Sequence, residues 1–287
     1  MARNRFWLSI FILALIVLGS WMMGTGTQLR LVPNRFPLDM AERTRQPQDL
    51  SPAFELAGGP ERTGRGFPQR EILDLASEFP GLVFNRGPAN VKMIALTFDD
   101  GPDSLFTPQI LDILQKYKVK ATFFLIGKRA EVHRDIVRRM AREGHVVGNH
   151  SWSHPNLIKL DRQALEKEIM KTENLLLKDV GYRTALFRSP YGSLDRQKVR
   201  EVQGLGYKVI AWNVDSLDWK GLTGEQVRSN ILENVRKGSI VLQHSAGGPG
   251  EDLSGTAEAL PVIIRTLIKE GYRFVTIPEL LGIRHGK

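Results

Sequence analysis

MIALTFDDGP, residues 93–102, is the stretch whose reading decides the fold. A short run of apolar and β-branched residues makes a buried strand, and two carboxylates, a glycine and a proline stop it at a turn. The same design recurs as ATFFLI from Ala121, HVVGN from His145, ALFRS from Ala185, KVIAWNV from Lys208, SIVLQ from Ser239 and RFVTI from Arg273. Between most of these runs lie helical patterns: TPQILDILQKY, DRQALEKEIMKTENLLL, TGEQVRSNILENV and ALPVIIRTLIKEG. Strand followed by helix, about seven times over, predicts a parallel sheet covered by helices.

The polar residues decide whether that sheet closes. TFDDGP (97–102) ends the first run and HSWSHP (150–155) the third, while RSPYG (188–192) follows the fourth, DSLDW (215–219) the fifth and LQH (242–244) closes the sixth. An open sheet would spread these sets along an edge. In a parallel barrel the C-terminal strand ends share one rim, so residues distant in sequence meet in one pocket, and the barrel is the better reading.

On that rim, His150 and His154 supply two imidazoles, and Pro155 stops any helix. A catalytic divalent cation also needs an anionic oxygen and an open position. Asp99 and Asp100 offer that oxygen with one carboxylate to spare, because adjacent residues at a strand end point in different directions. Such a set suits zinc, and also cobalt, nickel or iron. Taken alone, HxxxH is more often a pair of ordinary loop histidines, and DDGP is ordinary turn chemistry; together they argue for a cation. The spare carboxylate would then act as a base toward water, and His244 as the acid for a leaving group. Arg188 would keep the free aspartate ionised, a backbone N–H near Tyr191 would meet an oxyanion, and Trp219 and Leu242 would wall a small apolar pocket or simply fill the core.

Composition sets the context. The chain has 287 residues, 42% of them hydrophobic, enough for one sizeable domain with appendages. Its formal charge of +9 is not accompanied by any nucleic-acid motif or by aromatics interleaved with basic runs, which argues against a nucleic-acid partner. There are no cysteines, so disulfides and thiolate metal sites are excluded. MARNR precedes FWLSIFILALIVLGSWMM, an uncharged run at residues 6–23. As a helix it would extend about 27 Å, long enough to span a bilayer. Trp7 and Trp21 sit at its ends, and Arg3 and Arg5 favour keeping the short end inside. The expectation is a cytoplasmic tip and transmembrane signal-anchor (1–23), a proline-rich linker (24–90) holding about half of the fifteen prolines, and an extracytoplasmic catalytic domain (91–287). Cleavage after the apolar run would make the protein secreted instead. Within the linker, REILDLASEFPGLVF reads as one short helix and a turn.

TFDDGP, HSWSHP, RSPYG, DSLDW and LQH, in this order, resemble the five signature motifs of the polysaccharide deacetylase family, the carbohydrate esterases that share the chitooligosaccharide deacetylase (NodB) homology domain. The resemblance implies an α/β fold, a distorted (β/α) barrel with seven or eight parallel strands, that removes acetyl groups from N-acetylated amino sugars with a divalent metal, commonly zinc or cobalt. By position it implies Asp99 as catalytic base and Asp100, His150 and His154 as the metal triad. It gives Arg188 the task of orienting the base, the Tyr191 amide that of helping the oxyanion, and Asp215 that of tuning the catalytic His244. Trp219 and Leu242 match the wall around the acetyl methyl, and Asp218 matches a motif letter without a role. Two departures stand out: Ser245 and AGGPG follow LQH where the family often has aspartate, and Ser189 replaces a frequent proline. Neither removes a group the chemistry needs. The implied substrate is a polysaccharide, peptidoglycan (N-acetylglucosamine or N-acetylmuramic acid) or chitin-like oligomers. The competing readings are an O-acetyl esterase on xylan or another polymer, and a catalytically silent wall-binding module, which loss of Asp99 or His244 would have signalled.

Overall fold

The structure is a computed structural model that describes residues 74–248 and 250–287. The expected membrane span and the linker up to residue 73 lie outside the described residues. Among those described, no helix is long and apolar enough to cross a membrane.

The opening stretch forms the central strand. Counting strands along the chain with β1 at Val83–Phe84, it is β2, Met93–Asp99. Its residues alternate as a pleated strand must. Ile94, Leu96 and Phe98 pack with Ile110, Leu111, Ile263 and Ile264 of the covering helices, while Ala95 packs with Phe124, Ile240 and Leu242. On either side, in parallel, run β3 (Thr122–Leu125) and β8 (Ile240–His244). Beyond β3 follow β4 (Val146–Asn149), β5 (Leu186–Phe187), β6 (Lys208–Ile210) and then β1; beyond β8 lies β7 (Val214–Asp215). A last strand, β9 (Arg273–Phe274), pairs with the start of β2.

All of these pairings are parallel, as the strand–helix alternation predicts. The curl comes from β6 and β7. They are two halves of the single KVIAWNVD run, yet β6 pairs with β5 and β7 pairs with β8, so one stretch of chain joins the two sides of the sheet. The Arg188 guanidinium sits where that run bends, donating from Nε to Ile210 O at 3.0 Å and from Nη2 to Ala211 O at 3.2 Å. The sheet therefore has nine strands among the described residues rather than seven or eight. One expected run is split in two, and β1 comes from sequence assigned to the linker.

That last point moves a boundary. Residues 74–90, expected as the end of the linker, pack onto the sheet: Leu75, Leu82 and Val83 are buried, and Val83 pairs with Val209 at the edge of β6. The short helix expected there is α1 (Leu75–Glu78), tied by its Glu78 to Arg196. The outer helices are α2 (Phe106–Tyr117), α3 (Gly127–Val132), α4 (Arg134–Arg142), α5 (Arg162–Val180), α6 (Arg196–Gly204), α7 (Gly224–Asn234), α8 (Ser254–Lys269) and α9 (Ile277–Leu281). Their ends follow local chemistry. Asp161 caps α5 by accepting from Ala164 N at 2.8 Å, and Gly181 ends it at φ 81°; Thr223 and Gln226 form a capping box at the start of α7.

Candidate active site

β2 delivers the two adjacent carboxylates in different directions. Asp99 continues the inward set of Ala95 and Thr97 and meets Arg188, whose Nη1 donates to Asp99 Oδ1 and to Thr97 Oγ1, both at 2.8 Å. Arg188 is fully buried, its guanidinium stacked 4.2 Å from the Phe124 ring centre and 5.5 Å from that of Trp212. Burial pushes the Asp99 carboxyl above the usual carboxylate range, with Arg188 and the nearby histidines pulling against it.

Asp100 adopts φ 69°, which turns its side chain away from that of Asp99. The next residue is packed close: a Cβ on Gly101 would lie 2.4 Å from Ser245 Oγ and would displace that hydroxyl. Ser245 braces this turn by donating from its N to Asp99 O at 2.9 Å. Burial would raise the Asp100 carboxyl too, but His154 and His150 overcome it and hold the group well below the ordinary range. Two neighbouring carboxyls are thus driven apart, one toward proton acceptance and one toward permanent ionisation.

His150 follows β4, and His154 comes one turn of loop later. Their Nε2 atoms converge on Asp100 Oδ1 at 3.3 and 3.2 Å. The Nδ1 of His150 lies 2.8 Å from Arg188 O, an oxygen that can only accept, so Nδ1 carries a proton and Nε2 is the ring atom turned toward Asp100. One donor atom from each of Asp100, His150 and His154 lies within 4.8 Å of the others. Asp100 Oδ1 is moreover buried without a hydrogen-bond partner. An orphaned carboxylate oxygen facing two imidazole nitrogens, one of them fixed by a backbone carbonyl, suits a divalent cation.

His244 ends β8 directly opposite Asp99 in the β2–β8 register. Its partner corrects the expectation for Asp215. Asp218 Oδ1 lies 2.7 Å from His244 Nδ1, and Asp218 Oδ2 accepts from His244 N at 2.8 Å and from Thr256 Oγ1 of α8 at 2.7 Å. Asp215, paired with Leu242 of β8 through β7, accepts from Leu217 N through Oδ1 at 2.8 Å, and Leu217 adopts φ 57°, a reversal after which the carboxylate of the second aspartate of DSLDW meets the His244 ring. His244, Thr256 and the His244 amide hold the Asp218 carboxyl below its usual range against the burial that would raise it.

The remaining predicted residues fall as follows. Tyr191, at φ 59°, sets its ring edge-on to His154 with centroids 4.4 Å apart. Leu242 is buried in the sheet interior two residues before His244, and Trp219 is buried next to Asp218. Sequence reasoning overlooked Thr97, although it sits two residues before Asp99 and so on the same strand face, a signal that period-two alternation carries.

Comparison with known proteins agrees with this geometry. The sequence model of the family "Polysaccharide deacetylase" matches residues 86–210. A peptidoglycan-N-acetylglucosamine deacetylase of Bacillus cereus is 45% identical over 194 residues, 68% of this chain and 70% of that protein. The peptidoglycan-N-acetylmuramic acid deacetylase PdaC of Bacillus subtilis is 37% identical over 218 residues, 76% of this chain but 43% of that protein. The crystal structure of the Bc1960 peptidoglycan N-acetylglucosamine deacetylase, in complex with a naphthyl N-oxidanyl-benzamide, superposes with a TM-score of 0.70 at 42% identity, covering 72% of this chain and 95% of that one. Likeness at this level, 45% identity over 68% of this chain and 70% of the relative, makes this chain a member of the polysaccharide deacetylase family, hydrolases acting on amide bonds.

Proposed function

We propose that the enzyme removes the acetyl group from an N-acetylated amino sugar of peptidoglycan, as a divalent-metal hydrolase tethered by residues 6–23 with its catalytic domain outside the cytoplasm. The observation that carries this reading is the pairing of Asp99 with His244 across β2 and β8, beside the Asp100–His150–His154 cluster. A base and an acid flanking a cation site are what hydrolysis of an unactivated amide demands.

A divalent cation held by Asp100, His150 and His154, zinc in our reading, would supply Lewis acidity toward a carbonyl oxygen and acidity to a water. Asp99, oriented by Arg188, takes the proton of the water that attacks the acetamide carbon. The Tyr191 N–H steadies the oxygen that becomes negative. Asp218 holds His244 through Nδ1, which assigns Nε2 the delivery of a proton to the departing nitrogen. The carbon–nitrogen bond breaks, leaving acetate and a free amine. Peptidoglycan is favoured because the cited relatives carry that substrate in their names, and a formal charge of +9 suits an anionic wall.

The test is acetate release from peptidoglycan, from chitin oligomers and from O-acetylated xylan, after chelation and after adding back zinc or cobalt. Release from peptidoglycan that vanishes with chelator, returns with metal and is absent in Asp99→Asn is the expected result. Release from the xylan ester alone would replace the amidase reading with an esterase one. Undiminished release after exhaustive chelation would refute the metal.

A further inference from the structure

The loop that carries the two histidines has one hydrogen bond of its own, from His154 N to Ser151 Oγ at 3.1 Å. Ser151 and His154 adopt φ of 66° and 59°, a region that residues with side chains seldom occupy. Two side chains outside the loop brace it. Asn149, at the end of β4, accepts from Ser151 N through Oδ1 at 2.9 Å. Glu168, nearly two turns into α5, accepts from Trp152 N at 3.0 Å and Ser153 N at 2.8 Å through Oε2, and from Ser153 Oγ at 2.9 Å through Oε1. Each is a hydrogen bond to a carboxylate, the stronger kind. The loop is also pinned from its other side. Gly127 and Lys128 of α3 donate to the carbonyls of Ser151 and Trp152 at 2.9 Å each, and the Trp152 ring lies 3.6 Å from Lys171 Nζ. Gly127 has no room for a side chain, since a Cβ there would sit 2.3 Å from the Trp152 ring.

We infer that Glu168 is a positioning residue for the metal site: its carboxylate fixes the Trp152–Ser153 turn so that His154 Nε2 meets Asp100 Oδ1 beside His150. The inference rests on the reading of Asp100, His150 and His154 as a cation site. Glu168 does not belong to that cluster and acts through the backbone of the residue next to His154. Supports of this kind set ligand geometry, and their loss weakens metal binding by roughly 10–100-fold.

The experiment is a chelator-competition titration of zinc, with the visible spectrum of the cobalt form, on wild type, Glu168→Gln, Glu168→Asp and Glu168→Ala, alongside the thermal midpoint of each apo protein. Glutamine keeps the reach: its amide oxygen can accept from both backbone N–H groups, and its nitrogen can donate to Ser153 Oγ. Aspartate keeps the charge but falls one methylene short. Positioning predicts Gln within about threefold of wild type, and Asp and Ala weaker by roughly 10–100-fold with altered cobalt bands. A purely structural role would lower the apo midpoint and leave the affinity of the folded protein unchanged, which overturns the inference. Glutamine as weak as alanine also overturns it, in favour of a charge effect. Should Glu168→Ala fail to fold, the Gln and Asp pair decides. A wild-type protein that binds no metal would refute the site itself; amide exchange at Trp152 and Ser153 in the apo variants would still report whether Glu168 holds the loop.

Discussion

Asp218→Asn is the substitution that separates the two aspartates of DSLDW. Three hydrogen bonds meet the Asp218 carboxylate, and an asparagine can keep two of them by turning its oxygen toward His244 N and Thr256 Oγ1. Its NH2 then faces His244 Nδ1, where the carboxylate oxygen had stood at 2.7 Å. A donor meets a donor unless the ring moves its proton to Nε2 and becomes neutral. Fold and ring placement are retained while the imidazolium loses the charge that balances it. General acid catalysis contributes about 10²–10⁴ in rate, and a comparable aspartate-to-asparagine change in a serine protease triad costs about 10⁴. The expected loss in kcat/KM is on the order of 10²–10³, or about 2.7–4 kcal/mol of transition-state stabilisation. Asp215→Asn keeps the oxygen that accepts from Leu217 N and should stay within about threefold of wild type. The assay is initial-rate acetate release from one N-acetyl oligomer, with thermal midpoints to verify folding. Asp218→Asn retaining more than about a tenth of wild-type kcat/KM, or Asp215→Asn being the more damaged of the two, would refute the assignment.

Arg188→Met removes the group that bonds Thr97, Asp99, Ile210 and Ala211 and leaves a buried carboxylate without its cation; it should cost about 3–5 kcal/mol in urea unfolding. Asp99→Asn in the same chain should recover part of that loss, and strict additivity of the two changes would count against the coupling. His145 is lowered from 6.5 to about 4 by burial, and then by Lys120, so the folded state binds its neutral form. Its contribution is therefore intact above pH 6.5 and is lost as pH falls toward 4, by about 3 kcal/mol in all; a His145→Gln variant whose unfolding free energy falls as steeply as wild type over that range would contradict this. Gly101→Ala places a methyl 2.4 Å from Ser245 Oγ and should shift the turn that bears both aspartates, cutting kcat/KM by at least about tenfold, and an unchanged value would show the turn to be compliant.

The strands were legible because each is a compact apolar run bounded by turn residues, a signal confined to about six neighbouring positions. KVIAWNVD carried that signal as well, and nothing in it marks the bend at which β6 leaves β5 and β7 joins β8; Arg188, the residue after β5, fills that bend. β1 was hidden for the opposite reason, being a pair of residues in a proline-rich stretch whose strand character comes from the open edge of β6. The site divides along the same line. Asp100, His150 and His154 could be read from local motifs because their chemistry is local: a turn and a short loop aim them. Choosing between Asp215 and Asp218 required Thr256, which lies in α8, belongs to no motif and engages the same carboxylate oxygen as the His244 amide. Glu168 was invisible for a similar reason, since in DRQALEKEIMKTENLLL it looks like Glu166, two residues away and exposed on the same helix. What separates them is the rotation of α5 that turns one toward solvent and the other toward the amides of Trp152 and Ser153. A motif names the groups that react, whereas the groups that hold them are chosen by tertiary packing. The roles of Asp218 and Glu168 therefore belong to the fold of this chain, and substitutions at these two positions test that packing more sharply than changes to the motif histidines would.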